Sequence, residues 1–230
     1  MSDAAAPDLD GRVVLITGAG DGLGAALGRA CAAAGAEVVL LGRTVRKLEA
    51  VYDAIVAAGG PEPSIYPLDL EGATPEDYAE LAERIGESLG RLDALVHNAA
   101  MLGAQTPIEH YPPLEWARVL QVNLNAPMLL TQVCLPLLRA SGRGSVVFVG
   151  DERRSAYWGA YGVSKAAVSG LADMLADELD NDPDLAVHQV RPGPMQTGFR
   201  TRAFPGALRS EAPPPEEALG PLLAAIAGRR

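Results

Sequence analysis

The chain's most constraining feature is a regular alternation. Short, nearly continuous apolar runs at residues 12–17, 37–41, 64–68, 92–96, 145–149 and 186–190 are separated by longer segments rich in Ala, Leu and Glu. Strands that are apolar at almost every position are covered on both faces, as in a parallel sheet flanked by helices. The intervening segments predict helices over about 23–34, 44–58, 75–88, 114–139 and 160–180, and Pro213-Pro214-Pro215 introduces a last short one over about 216–227. Such alternation specifies an α/β fold, a doubly wound parallel sheet. The chain has 230 residues and no linker, repeat or low-complexity tract. It is therefore expected to form a single domain over 1–230, with 1–9 disordered and 195–212 a lid over the substrate.

Composition narrows the function. The net charge is -10 and no basic block offsets it, which excludes nucleic acid and an anionic membrane surface as partners. No apolar run approaches a membrane span, and the start lacks a basic-then-apolar signal pattern, so a cytoplasmic location is expected. Cys31 and Cys134 lie in apolar helical segments and are expected to be buried free thiols. His97, His110 and His188 show no ligand spacing, and no metal site is expected.

The first predicted strand runs into Thr17-Gly18-Ala19-Gly20-Asp21-Gly22-Leu23-Gly24 and then an Ala-rich helix. Glycines between a strand and a helix let the backbone approach a pyrophosphate at the helix N-terminus. That context makes Gly18, Gly20, Asp21, Gly22, Leu23 and Gly24 a candidate dinucleotide-binding turn. The second strand ends at Gly42-Arg43, with no acidic residue for ribose hydroxyls but a cation suited to a 2′-phosphate. NADP is expected rather than NAD, although Asp21 adds an anion near the phosphates.

Tyr161 and Lys165 are four apart in a predicted helix, which places both side chains on one face. A nearby ammonium favours phenolate over phenol, so the pair suits a tyrosine that exchanges a proton.

These residues together resemble the short-chain dehydrogenase/reductase family over about 11–205. Thr17 to Gly24 is similar to the family's TGxxxGxG turn, and Asp69-Leu70 to the pair that holds the adenine ring. His97-Asn98-Ala99-Ala100 resembles the NNAG segment with both end residues changed, which implies cofactor contacts for Asn98 and Ala99. Asn123 falls where the family keeps an asparagine that anchors a water near the lysine. Tyr161 and Lys165 match YxxxK. Arg191-Pro192-Gly193-Pro194 and Thr197 resemble the PG motif and the threonine that contacts the nicotinamide amide. The stretches 157–161 and 200–205 look most like the YciK-like branch. The resemblance implies a Rossmann fold and NAD(P)H-dependent hydride transfer to or from a carbonyl/alcohol substrate, with Tyr161 as proton donor or acceptor.

The chain departs from the family in two places. The family's serine just after strand five is missing, and Asp151 falls at its position with the following loop about three residues short. A hydroxyl donates to a developing alkoxide, whereas an ionised carboxylate only accepts and disfavours phenolate beside it. Three arrangements stay open: Asp151 replaces the serine, it pairs with Arg153 or Arg154, or Ser155 swings inward. The alternative function is a catalytically weak nucleotide-binding sensor or partner protein. The second departure is the end of the chain, where a helix replaces the family's seventh strand; six strands are expected.

A homodimer through helices 114–139 and 160–180 is expected, using Leu129, Leu130, Val133, Leu135, Val168, Leu171 and Leu175. Met101, Leu102, Tyr157, Trp158, Met195, Phe199 and Phe204 are the candidate walls of the substrate pocket. Arg200, Arg202 and Arg209 are either solvated lid arginines or cations for an anionic group of the substrate.

Overall fold

A computed structural model of the protein describes residues 7–208 and 211–228. The fraying expected of residues 1–6 and the lid position of Arg209 lie outside the described residues. Six strands are formed: β1 (Val13–Thr17), β2 (Glu37–Gly42), β3 (Ser64–Pro67), β4 (Ala94–His97), β5 (Gly144–Val149) and β6 (Leu185–Val190). They pair in parallel in the order β3-β2-β1-β4-β5-β6. The order reverses between β1 and β4, so a crevice opens there beyond the carboxyl ends of the strands.

The helices are α1 (Gly22–Ala33), α2 (Val45–Ala57), α3 (Pro75–Leu89) and α4 (Pro113–Leu120), followed by α5 (Ala126–Ala140), α6 (Gly159–Glu178), α7 (Gly198–Ala203) and α8 (Leu219–Ile226). Alternate strand residues point to opposite faces, so one apolar strand feeds two cores. Val14, Ile16, Val38, Leu40, Val96 and Val147 pack with α1, α2 and α8. Val13, Leu15, Val39, Leu95, Val146 and Phe148 pack with α3, α5 and α6. Each fully buried large aliphatic side chain contributes about 1.5–3 kcal/mol, which is why the strand runs contain so few polar residues.

Local signals end the helices where the sequence provides them. At α3, Thr74 N donates to Asp77 Oδ2 at 2.7 Å while Asp77 N donates to Thr74 Oγ1 at 3.4 Å, and Gly90 closes the helix with φ 72°. This reciprocal cap satisfies otherwise orphaned backbone donors. Below the sheet, the fully buried Asp93 accepts from Val13 N at 2.8 Å, Arg91 Nε at 2.9 Å and Arg143 Nε at 2.8 Å. It ties the start of β4 to β1 and β5.

Three expectations need correction, and the segment expected as a lid gains local detail. The segment 1–9 is not all frayed: Leu9 is fully buried and its N–H donates to Ala34 O at 2.9 Å, because its side chain joins the α1 core. The predicted helix 114–139 is interrupted by a π turn over Gln121–Asn125, which carries Asn123 into the interior. Wide turns of this kind cluster at functional positions. Within 195–212 a short helix, α7, forms, capped by Thr197 Oγ1 accepting from Arg200 N at 3.2 Å. The last predicted helix is a 3₁₀ turn (Pro215–Ala218) followed by α8. Arg12 donates to Ile226 O and Ala227 O at 3.1 and 3.0 Å, and holds that end against the sheet.

Candidate active site

The crevice is a cleft of about 1300 Å³. Its lining includes Gly18, Gly20, Asp21, Gly22, Leu23, Arg43, Asp69, Leu70, Asn98 and Ala99. Asp151, Tyr161, Lys165, Pro192, Gly193 and Thr197 line it as well. Of the expected site residues, only Gly24 and Asn123 are set behind the wall rather than on it.

Gly24 is behind it for a packing reason. A Cβ there would strike the Gly18 carbonyl oxygen, and one at Gly18 would come within 2.9 Å of Ala99 Cα. Gly18 also has φ +67°, which costs an L side chain strain. The glycine turn is thus pressed against the β4 end. Thr17 locks the two together: its Oγ1 accepts from Asn98 N and Ala99 N, both at 3.0 Å, and donates to Val96 O at 3.2 Å. Asn98 Nδ2 returns a bond to Thr17 O at 2.8 Å.

Asp21 is the N-cap of α1 and accepts from Gly22 N at 2.7 Å. Its other oxygen pairs with Lys47 Nζ at 2.5 Å, and this bond holds the carboxyl below its usual range. The anion noted in the glycine turn is therefore met by a cation from α2. Lys47 was not among the expected site residues. The clustering of Arg43, Arg46 and Lys47 at one helix start was the available signal.

At the other end of the cleft, Tyr161 and Lys165 share the buried face of α6. Tyr161 Oη donates to Asp151 Oδ2 at 2.8 Å. Burial, the Asp151 charge and this bond all push the phenol well above its ordinary value, and Arg153 opposes them. The phenolate-favouring effect expected of Lys165 does not prevail; burial and, after it, the neighbouring carboxylate do. Lys165 is 6% exposed and donates to Val149 O at 2.8 Å, with its Nζ 6.0 Å from the Tyr161 ring centroid. Burial pushes the ammonium down to about 8, with Asp151 acting in the opposite direction.

Of the three arrangements open to Asp151, it lies against Tyr161 in the cleft, and Arg153 Nε stands 4.0 Å from its other oxygen. Ser155 is exposed and does not line the cleft. Asn123 Oδ1 accepts from Met101 N at 2.7 Å, while its Nδ2 donates to Met101 O at 2.9 Å and Ser164 Oγ at 3.0 Å. It pins the β4–α4 loop to α6. Thr197 spends its hydroxyl as the α7 cap, with its methyl near Gly22.

Of the expected substrate walls, Met101, Leu102, Trp158, Met195, Phe199 and Phe204 all line the cleft. Tyr157 is a correction: with φ 72° it turns to solvent and is 61% exposed. Arg153 is held between Trp158 and Phe204, its guanidinium 5.3 Å from each ring centroid. Phe199 and Phe204 belong to the α7 segment and pack on Tyr161 and Trp158 at 5.2 and 5.7 Å.

His97 is buried, with Nε2 2.8 Å from Thr131 Oγ1, and stacks on Phe148 at 4.8 Å. Burial lowers it to about 3, so the ring is neutral.

A Rossmann-type sheet whose switch-point cleft holds a glycine turn and a Tyr–Lys pair defines a nucleotide-dependent oxidoreductase scaffold. The model of the short chain dehydrogenase family matches residues 12–207, and the chain belongs to that family. The oxidoreductase YciK of Escherichia coli K12 is 43% identical over 201 residues, covering 86% of this chain and 79% of YciK. A short chain dehydrogenase structure from Pseudomonas syringae is 44% identical with a TM-score of 0.95, covering 99% of this chain and 94% of that one. A short chain dehydrogenase from Escherichia coli CFT073, crystallised with NADPH, is 38% identical with a TM-score of 0.93, covering 97% of this chain and 94% of its own.

Proposed function

We propose that the protein is an NADP(H)-dependent reductase of a partly apolar carbonyl compound, with Tyr161 as proton donor to the reduced oxygen. The observation that carries this reading is the Tyr161–Lys165 pair at one end of a cleft whose other end is a glycine turn flanked by Arg43 and Lys47. The turn fits a dinucleotide, because Gly18, Gly20 and Gly22 bring backbone without side chains to the cleft at the N-terminus of α1. The NADPH bound to the Escherichia coli CFT073 relative supports the phosphorylated cofactor. NADPH supplies the hydride when bound.

The chain's own residues would divide the remaining work. Arg43 would meet the 2′-phosphate, with Lys47 neutralising Asp21 beside the pyrophosphate. Lys165 would hold the ribose end, Pro192 and Gly193 the nicotinamide side, and Asn123 the loop from which Met101 and Leu102 project. Tyr161 is held as a neutral phenol by burial and Asp151. A neutral phenol can donate a proton, as reduction of a carbonyl requires. The α7 segment would cover the substrate and exclude water.

A homodimer through α4–α6 completes the proposal. Leu130, Val168 and Leu175 are buried in the protomer core, but Leu129, Val133, Leu135 and Leu171 are half-exposed, and Met128, Val163 and Met174 are exposed on the same helices.

A second reading, a nucleotide-binding sensor, is favoured by one observation: the hydrogen bond that Tyr161 would offer a substrate is already made to Asp151. Turnover of NADPH with a carbonyl panel, lost in Tyr161→Phe, supports the reductase. NADPH binding without turnover supports the sensor.

A further inference from the structure

The polar groups around Tyr161 are committed in a way that selects the electrophile. Ser164 Oγ donates to Tyr161 O at 2.8 Å and accepts from Asn123. Lys165 donates to Val149 O, and the hydroxyl of Tyr161 itself donates to Asp151 Oδ2. Ser155, the one hydroxyl that could stand in for the family's serine, faces solvent. A neutral carbonyl reduced here gathers negative charge on oxygen beside a carboxylate, and must draw the phenol proton out of a charge-assisted bond. A protonated C=N group has the opposite polarity. Its N–H donates to the carboxylate, its positive charge is attracted rather than repelled, and no oxyanion forms. The carboxylate also raises the proton affinity of the nitrogen, which keeps the electrophilic form present at neutral pH. Arg153 approaches only Oδ1, at 4.0 Å, and leaves Oδ2 on the Tyr161 side for such a donor. Trp158, Phe199 and Phe204 supply flat apolar walls for a ring-sized substrate.

We propose that this site reduces protonated cyclic imines, with Asp151 binding the cationic nitrogen. The proposal rests on the NADPH-dependent reading above. The imine carbon gains a hydride from NADPH, leaving NADP+; a C–H bond forms and the C=N π pair becomes the lone pair of nitrogen. The N–H proton stays on the product, a neutral secondary amine, which takes a further proton from solvent on release. Charge, atoms and electrons balance without a proton from Tyr161, which serves here to orient Asp151.

The probe is dihydroisoquinoline, whose protonated and neutral forms differ in absorbance, set against tetralone, a bicyclic aryl ketone of similar size. Titrated with the whole protein, the bound imine is expected to keep its proton to a pH about one unit higher than in water, and to lose that shift in Asp151→Ser and Asp151→Asn. With NADPH, wild-type kcat/KM for the imine should exceed that for the ketone by about tenfold or more, one pKa unit of differential interaction. Asp151→Ser should move the preference toward the ketone. An unshifted imine, or a wild-type preference for tetralone, overturns the proposal. NADPH affinity, read by its fluorescence in the same samples, separates the failures and shows that the variants are folded. NADPH bound and ketone reduced with the imine inert overturns the imine assignment alone. No NADPH binding overturns the reductase reading and this proposal together.

Discussion

Tyr161 Oη donates a hydrogen bond to Asp151 Oδ2 at 2.8 Å. That bond makes the phenol of this Tyr–Lys pair harder to ionise, not easier, since the burial that raises it is reinforced by an adjacent negative charge. Asp151→Asn removes the charge and keeps the shape. The ionisation of Tyr161, followed by phenolate absorbance against Tyr161→Phe, should move down in the variant. An unchanged titration would show that Asp151 does not govern it.

Arg43 and Lys47 line the cleft together with the glycine turn. Arg43→Asp should weaken NADPH binding by about tenfold or more while NADH changes little, because only one cofactor carries the 2′-phosphate. Lys47→Ala should weaken both, since Asp21 then faces the phosphates unpaired. Fluorescence titration with the two cofactors checks this, and equal losses in Arg43→Asp would contradict the assignment.

Much of this architecture was readable from residue patterns. The strands were legible because they are buried on both faces and so apolar at nearly every position, and the glycine turn because only Gly fits where Gly18 and Gly24 meet backbone. Contacts set by tertiary approach were not. The π turn that aims Asn123 inward has no local sequence mark, and Lys47 reaches Asp21 only because α2 packs beside α1. For Asp151, the sequence supplied the candidates but not the choice among them. The shortened loop leaves Asp151 on Tyr161 and turns Ser155 and Tyr157 outward, against any reading that lets each side chain point where chemistry would want it.

Lys165 carries a pH signature with a definite sign. Its folded value of about 8 lies below the ordinary 10.5 because it is buried. Below about 8 both folded and unfolded chains hold the proton, and the cost of burying the charge is fully present. Between about pH 8 and 10.5 the unfolded chain binds more protons, so the contribution of Lys165 to stability rises with pH. Urea unfolding of the cofactor-free protein should show wild type gaining about 2 kcal/mol on Lys165→Met between about pH 7.5 and 9.5. A constant difference would place the Lys165 titration outside that window.

Asp93 anchors the floor of the sheet. Removing it leaves Val13 N without its acceptor and two arginines clustered without their shared anion. Asp93→Ala should cost about 2–4 kcal/mol, read as a lowered urea midpoint with cofactor affinity preserved in the folded fraction. A loss below about 0.5 kcal/mol, as for a typical surface change, would contradict the anchoring role.

The most direct test of the central claim is NADPH oxidation by wild type and Tyr161→Phe with a reducible quinone or aryl ketone, with NADPH affinity measured on both. The hydroxyl is the proposed proton donor to a carbonyl and only one of several groups at the cofactor. Turnover with the carbonyl probe should therefore fall by about 10²–10⁴-fold while NADPH affinity changes by less than about threefold. Equal turnover in the two proteins would contradict the account.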